Sequence, residues 1–155
     1  TPVYFKTPAA PWAAARKEKR KIDLKAVDKA FRQWKGQCDV LLIEGIGGLL
    51  VPITKKFTVA DLIRRWRVPA ILVSRWGLGT LNHTALCLEV LKKRKISGAG
   101  LIFNQTTPGE IGFVEKTNLE FFKETKAAPM LATVKYQKDG KKRRFSSSAG
   151  LSRLW

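Results

Sequence analysis

Residues 70–103 read AILVSRWGLGTLNHTALCLEVLKKRKISGAGLIF, and this stretch decides the fold. Ala70-Ile71-Leu72-Val73 is apolar without alternation, the pattern of a strand buried on both faces of a parallel sheet. Ser74 to Gly79 is a loop carrying two glycines. Thr80 to about Lys93 predicts a helix, and Ala99-Gly100-Leu101-Ile102-Phe103 predicts the next strand. A strand, a helix and a second strand joined by short loops imply a right-handed crossover. Working outward, Val40-Leu41-Leu42-Ile43 is a similar run and predicts an earlier strand. Thr58-Val59-Ala60-Asp61 resembles a capping box, with Asp61 where Glu or Gln is usual. The helix it opens stops near Arg67, because Pro69 forbids continuation. Downstream, Phe113 to Lys123 predicts a helix and Met130 to Val134 a last short strand. The alternation predicts an α/β fold, a parallel sheet flanked by helices.

The segment before Val40 reads as helical. Ala13-Ala14-Ala15 favours helix by propensity. Asp23 is the expected N-cap of a second helix, with Leu24, Val27, Ala30, Phe31 and Trp34 on one face and Gly36 ending it. That face places Trp34 in the core, whereas spacing leaves Trp66 and Trp76 open between core, interface and aromatic platform.

Length and charge set the bounds. The chain has 155 residues, with 30 Lys and Arg against 12 Asp and Glu, a net charge of +18. Apolar residues make up 45%, which excludes wholesale disorder. No signal peptide or membrane-length apolar run is present, and Cys38 and Cys87 form no CxxC or zinc pattern. A reducing, cytoplasmic setting is the expectation. Residues 135–155 hold seven Lys or Arg, one Asp and the tract Ser146-Ser147-Ser148. They read as a basic, disordered tail after a domain spanning 1–134. Clusters such as Arg16–Lys21, Lys92–Lys95 and Lys141–Arg144 admit a nucleic-acid binder or a non-catalytic scaffold as alternatives. No RNP, KH or helix-turn-helix pattern accompanies them, so a solvated basic surface is preferred.

Ligands of open α/β sheets gather at the carboxyl ends of strands. Three loops would share that rim: Glu44 to Gly48, Arg75 to Thr80, and Asn104 to Gly109. A carboxylate ending a buried strand is costly unless paired or holding a cation, so Glu44 is either a Mg²⁺ ligand beside glycine amides or a loop cap. Gly77-Leu78-Gly79-Thr80 enters a helix whose first N–H groups suit an anion, with Asn82 and His83 in the first turn. His83 has no visible partner that would make it a base. Asn104 can read a base edge or simply form a turn.

Residues 39–52, Asp39-Val40-Leu41-Leu42-Ile43-Glu44-Gly45-Ile46-Gly47-Gly48-Leu49-Leu50-Val51-Pro52, resemble the VEGAGGxxVP segment of ATP-dependent dethiobiotin synthetases. Val73 to Thr84 resembles that family's second signature at the expected separation, with Ala60-Asp61-Leu62 between them and Asn104 after. Pro8-Ala9-Ala10-Pro11 resembles the segment before the first helix. The similarity covers about residues 4 to 131. It implies a P-loop NTPase-like domain, here truncated, and usually a homodimer. It also implies an ATP- and Mg²⁺-dependent cyclo-ligase that forms C–N bonds. Its substrates would be 7,8-diaminononanoate, CO₂ and ATP. By resemblance Glu44 is a Mg²⁺ ligand, and the backbone of Gly47 and Gly48 faces the diamine and its carbamate. Leu81 and Asn82 receive the substrate carboxylate across the dimer interface, and Asn104 contacts adenine.

The departures are specific. The family opens with a strand and a G-x-x-x-x-G-K-[ST] phosphate loop, and neither that loop nor the lysine and aspartate that follow it occurs here. Ala132-Thr133-Val134-Lys135 stands where the family has a G-x-[IV]-P turn, and Trp12 replaces a common His. The expectation is a C-terminal portion of such an enzyme, inactive without an N-terminal segment. The missing strand would lie inside the sheet and leave apolar edges on its neighbours.

Overall fold

A computed structural model describes residues 2–138 and the backbone of 145–147. The chain forms two compact units, one running to Arg65 and one beginning at Trp66.

The second unit is the sheet that the glycine-punctuated stretch predicts. β3 (Ala70–Arg75), β4 (Gly98–Asn104) and β5 (Met130–Val134) run parallel in that order. The crossovers are α4 (Thr80–Lys93) and α5 (Phe113–Thr125). In register, Leu72 lies beside Leu101, Ser74 beside Phe103, and Asn104 beside Val134. Leu101, Phe103 and Phe122 are fully buried with Trp76, and Leu72, Leu88, Leu119 and Met130 pack against them. The rings of Phe103 and Phe122 are 5.6 Å apart. Each such buried side chain contributes about 2 kcal/mol of transfer free energy. Gly100 makes the close approach of β4 to β5 possible. Its φ is +154°, and a Cβ there would stand 2.5 Å from Leu131 Cγ and 2.7 Å from the Pro129 carbonyl oxygen.

Two features of this sheet differ from the sequence reading. Residues 145–147, assigned to a tail without regular structure, form β6 (Phe145–Ser147), antiparallel to β5. The remainder of that tail from 139 onward lies outside the described residues. Among the described residues β3 is an edge strand, paired with β4 alone, and Ile71 and Val73 on it are exposed.

The first unit holds α1 (Pro11–Lys17), α2 (Leu24–Lys35), the hairpin β1 (Pro52–Thr54) and β2 (Phe57–Thr58), and α3 (Val59–Trp66). α1 starts on Pro11 and buries Pro11, Ala14 and Ala15. Asp23 caps α2 as expected, accepting from the N–H groups of Lys25 and Ala26 at 2.8 and 3.2 Å. The apolar stripe of α2 is half-buried at Leu24, Val27, Ala30 and Phe31 and does not bury Trp34. Trp34 is 57% exposed, and the residue this helix buries is Asp28, which accepts from Arg65 at 2.5 Å. An ion pair anchors the helix where the sequence predicted an aromatic. The capping box at α3 is present. The Asp61 carboxylate accepts from the N–H and Oγ1 of Thr58 at 2.9 and 2.7 Å, and Thr58 Oγ1 accepts from the Asp61 N–H at 3.3 Å.

The strand expected at Val40–Ile43 is not formed. Val40, Leu42 and Ile43 are exposed and belong to no ladder. A strand exists only where a neighbour takes its N–H and C=O groups, and among the described residues none pairs with this run. Among the described residues no helix is long and apolar enough to cross a membrane.

Candidate functional site

The loop after β3 is the most tightly specified part of the rim. Ser74, at the end of β3, accepts from Thr84 Oγ1 at 2.8 Å, and Thr80 Oγ1 lies 3.3 Å from the same hydroxyl. All three residues are buried, so this hydroxyl chain fixes the start of α4 against the strand end. From the other side, buried Asn118 on α5 donates through Nδ2 to the carbonyls of Trp76 (2.8 Å) and Gly77 (3.3 Å). Trp76 thereby resolves as core. Gly79 caps the helix with φ +89°, a conformation that glycine adopts without strain.

This geometry presents donors. The N–H of Thr80 bonds Gly77 O and that of His83 bonds Gly79 O, at 3.2 and 3.0 Å. The N–H groups of Leu81 and Asn82 lie between them, in the turn where a helix has no carbonyl of its own to offer. Both residues are exposed. They are the two for which the resemblance implies a carboxylate, and the first turn of a helix has the chemistry to receive one. His83 is exposed, with its ring beside Gly79, where a Cβ would meet its Cε1 at 3.3 Å. Beside it, burial pushes the Cys87 thiol above its usual range and so disfavours the thiolate.

The loop after β4 begins at Asn104, which lies in register between Arg75 of β3 and Val134 of β5. The next residue, Gln105, was missed by the sequence reading. Its backbone N–H bonds Val134 O at 2.8 Å. Its side-chain Nε2 donates to Gly109 O at 2.9 Å, and its Oε1 accepts from the Tyr136 N–H at 3.1 Å. Around it opens a cavity of about 470 Å³, walled by residues 108–111 on one side and by Lys135 and Tyr136 on the other. Tyr136 lies 31 residues away in sequence, and no local pattern signals that contact.

Glu44 to Gly48 belongs to the first unit and follows a run that is not a strand, so the buried strand end that made Glu44 costly is absent. Glu44 is exposed. Gly47 takes φ +66°, and a Cβ there would meet Val51 Cγ2 at 3.0 Å. Gly48 has open space where a side chain would be. The segment is tied to α3, since Ala60 N–H bonds Leu49 O at 2.8 Å and Val59 N–H bonds Val51 O at 3.2 Å. The first amides of α3 are therefore occupied, and the Gly48 carbonyl accepts from the Val51 N–H at 3.0 Å. Among the described residues no group of three or more His, Cys, Asp and Glu side chains gathers to hold a metal. Glu44 fits Mg²⁺ only as one carboxylate of an ion held chiefly by phosphate oxygens and water.

A family model described as an AAA domain matches residues 1–144. The chain belongs to the AAA domain family. Among curated proteins, this AAA domain is 38% identical over 156 residues to the ATP-dependent dethiobiotin synthetase BioD of Thermodesulfovibrio yellowstonii, covering 96% of this chain and 65% of that protein. Its identity is 42% over 108 residues to the protein of the same name from Endomicrobium trichonymphae, covering 67% and 50%. With the one from Anaeromyxobacter dehalogenans it shares 40% over 129 residues, covering 83% and 58%. The chain thus spans between half and two thirds of the length of these relatives.

Proposed function

We propose that this AAA domain is part of an ATP-dependent dethiobiotin synthetase, a cyclo-ligase of biotin biosynthesis. The observation that carries the reading is its 38% identity, across 96% of the chain, to a relative bearing that name. In the reaction an amine of 7,8-diaminononanoate takes up CO₂ as a carbamate. The carbamate oxygen attacks the γ-phosphorus of ATP and ADP departs. The second amine then attacks the carbonyl carbon, phosphate leaves, and the ureido ring closes. Phosphoryl transfer of this kind needs position and charge more than a covalent nucleophile.

The residues divide that work. The Leu81 and Asn82 amides hold the substrate carboxylate at the start of α4, with a second copy of the chain contributing the facing surface in a homodimer. The Gly47 and Gly48 backbone faces the diamine and its carbamate. Asn104 contacts the adenine. Glu44 supplies one carboxylate toward Mg²⁺, which when bound neutralises phosphate charge. The phosphate cradle has no counterpart in this sequence. We place it on a strand lying along the unpaired edge of β3, within the part of the relatives that this chain does not span. The cytoplasm, where ATP is abundant and Cys38 and Cys87 stay reduced, suits this chemistry.

Complementation tests both halves of the proposal. In a strain lacking dethiobiotin synthetase, growth without biotin is expected only when a strand and phosphate loop precede Thr1. Growth with this chain alone would remove the need for that segment. Absence of growth with a soluble extended protein would remove the synthetase assignment.

A further inference from the structure

We propose that Gln105 is the positioning residue that shapes the base-holding end of the nucleotide site, an inference that rests on the ATP reading above. Its amide bonds both walls of the 470 Å³ cavity at the β4 and β5 ends. The –NH₂ holds the loop before α5 through Gly109 O, and the carbonyl holds the segment after β5 through the Tyr136 N–H. The amide donates to one carbonyl and accepts from one N–H at the same time; a carboxylate keeps the acceptor alone and an alkyl group keeps neither. Its position past the carboxyl ends of parallel strands is where ligands of such sheets lie. Tyr136 brings an aromatic ring to the wall for a planar base, and Lys135 beside it brings a cation.

The test uses the full-length protein carrying Gln105→Ala or Gln105→Glu. Hydrogen exchange without nucleotide reads the tie directly. Gln105→Ala is expected to speed exchange in residues 106–112 and 135–138 together, by tenfold or more. Gln105→Glu is expected to release 106–112 and leave Tyr136 protected, because the carboxylate still accepts but repels the Gly109 carbonyl. In steady state, Gln105→Ala is expected to raise KM for ATP about tenfold while kcat and KM for the diamine hold. Unchanged exchange, or KM values rising together for both substrates, would overturn the inference while leaving the synthetase reading intact. A wild-type protein that neither binds nor consumes ATP would overturn the synthetase reading and the assignment of a base to this cavity with it.

Discussion

At Gly100 a methyl group has nowhere to go. The Cβ it would carry lies 2.5 Å from Leu131 Cγ and 2.7 Å from a carbonyl oxygen, and φ is +154°. Gly100→Ala is expected to destabilise the protein by about 3 kcal/mol through overpacking and backbone strain together, read as a lower urea midpoint with an unchanged slope. A loss below about 0.5 kcal/mol, within the range of an ordinary surface substitution, would mean that the strands separate easily. Single residues were legible in the sequence where their work is local. Asp61 bonds a residue three positions away, and Gly79 turns the chain at its own φ. Gln105 and Asn118 were not legible, because their partners lie 31 and 42 residues away and only folding brings them together.

Elements were legible in proportion to how far they close their own hydrogen bonds. α3, α4 and α5 appear where composition, caps and glycines put them, since a helix satisfies its backbone internally. The parallel strands β3, β4 and β5 were readable because helical crossovers leave few other ways to connect apolar runs. Val40–Ile43 has the composition of a strand, yet composition cannot supply a neighbour. The β1–β2 hairpin escaped notice because Pro52 and the Lys55-Lys56 turn mask its short period. At this scale the capping box is the sharpest test. Asp61→Ala removes acceptors for two Thr58 donors and is expected to cost about 1 kcal/mol in thermal or urea unfolding. Asp61→Glu, the usual residue of the motif, is expected to restore most of it. Equal losses in both variants would assign the effect to packing instead of the cap.

Over the whole molecule, the charge of +18 is partly a consequence of helix architecture. α1, α2, α3, α4 and α5 all carry Lys or Arg in the last turn, where the macrodipole is negative. Basic residues placed this way need no nucleic acid to explain them. The chain forms two compact units, one running to Arg65 and one beginning at Trp66. Their separation could not be read from composition, because the boundary falls inside a continuous run of helix and loop with no linker chemistry. One property of the second unit bears on handling the purified protein. Among the described residues β3 ends the sheet, and Ile71 and Val73 on it are exposed. Such a margin recruits its own kind, so stored solutions are expected to grow turbid at a rate that climbs steeply with concentration. Val73→Lys should keep them clear, and light scattering that is indifferent to both dilution and this lysine would show the margin to be shielded.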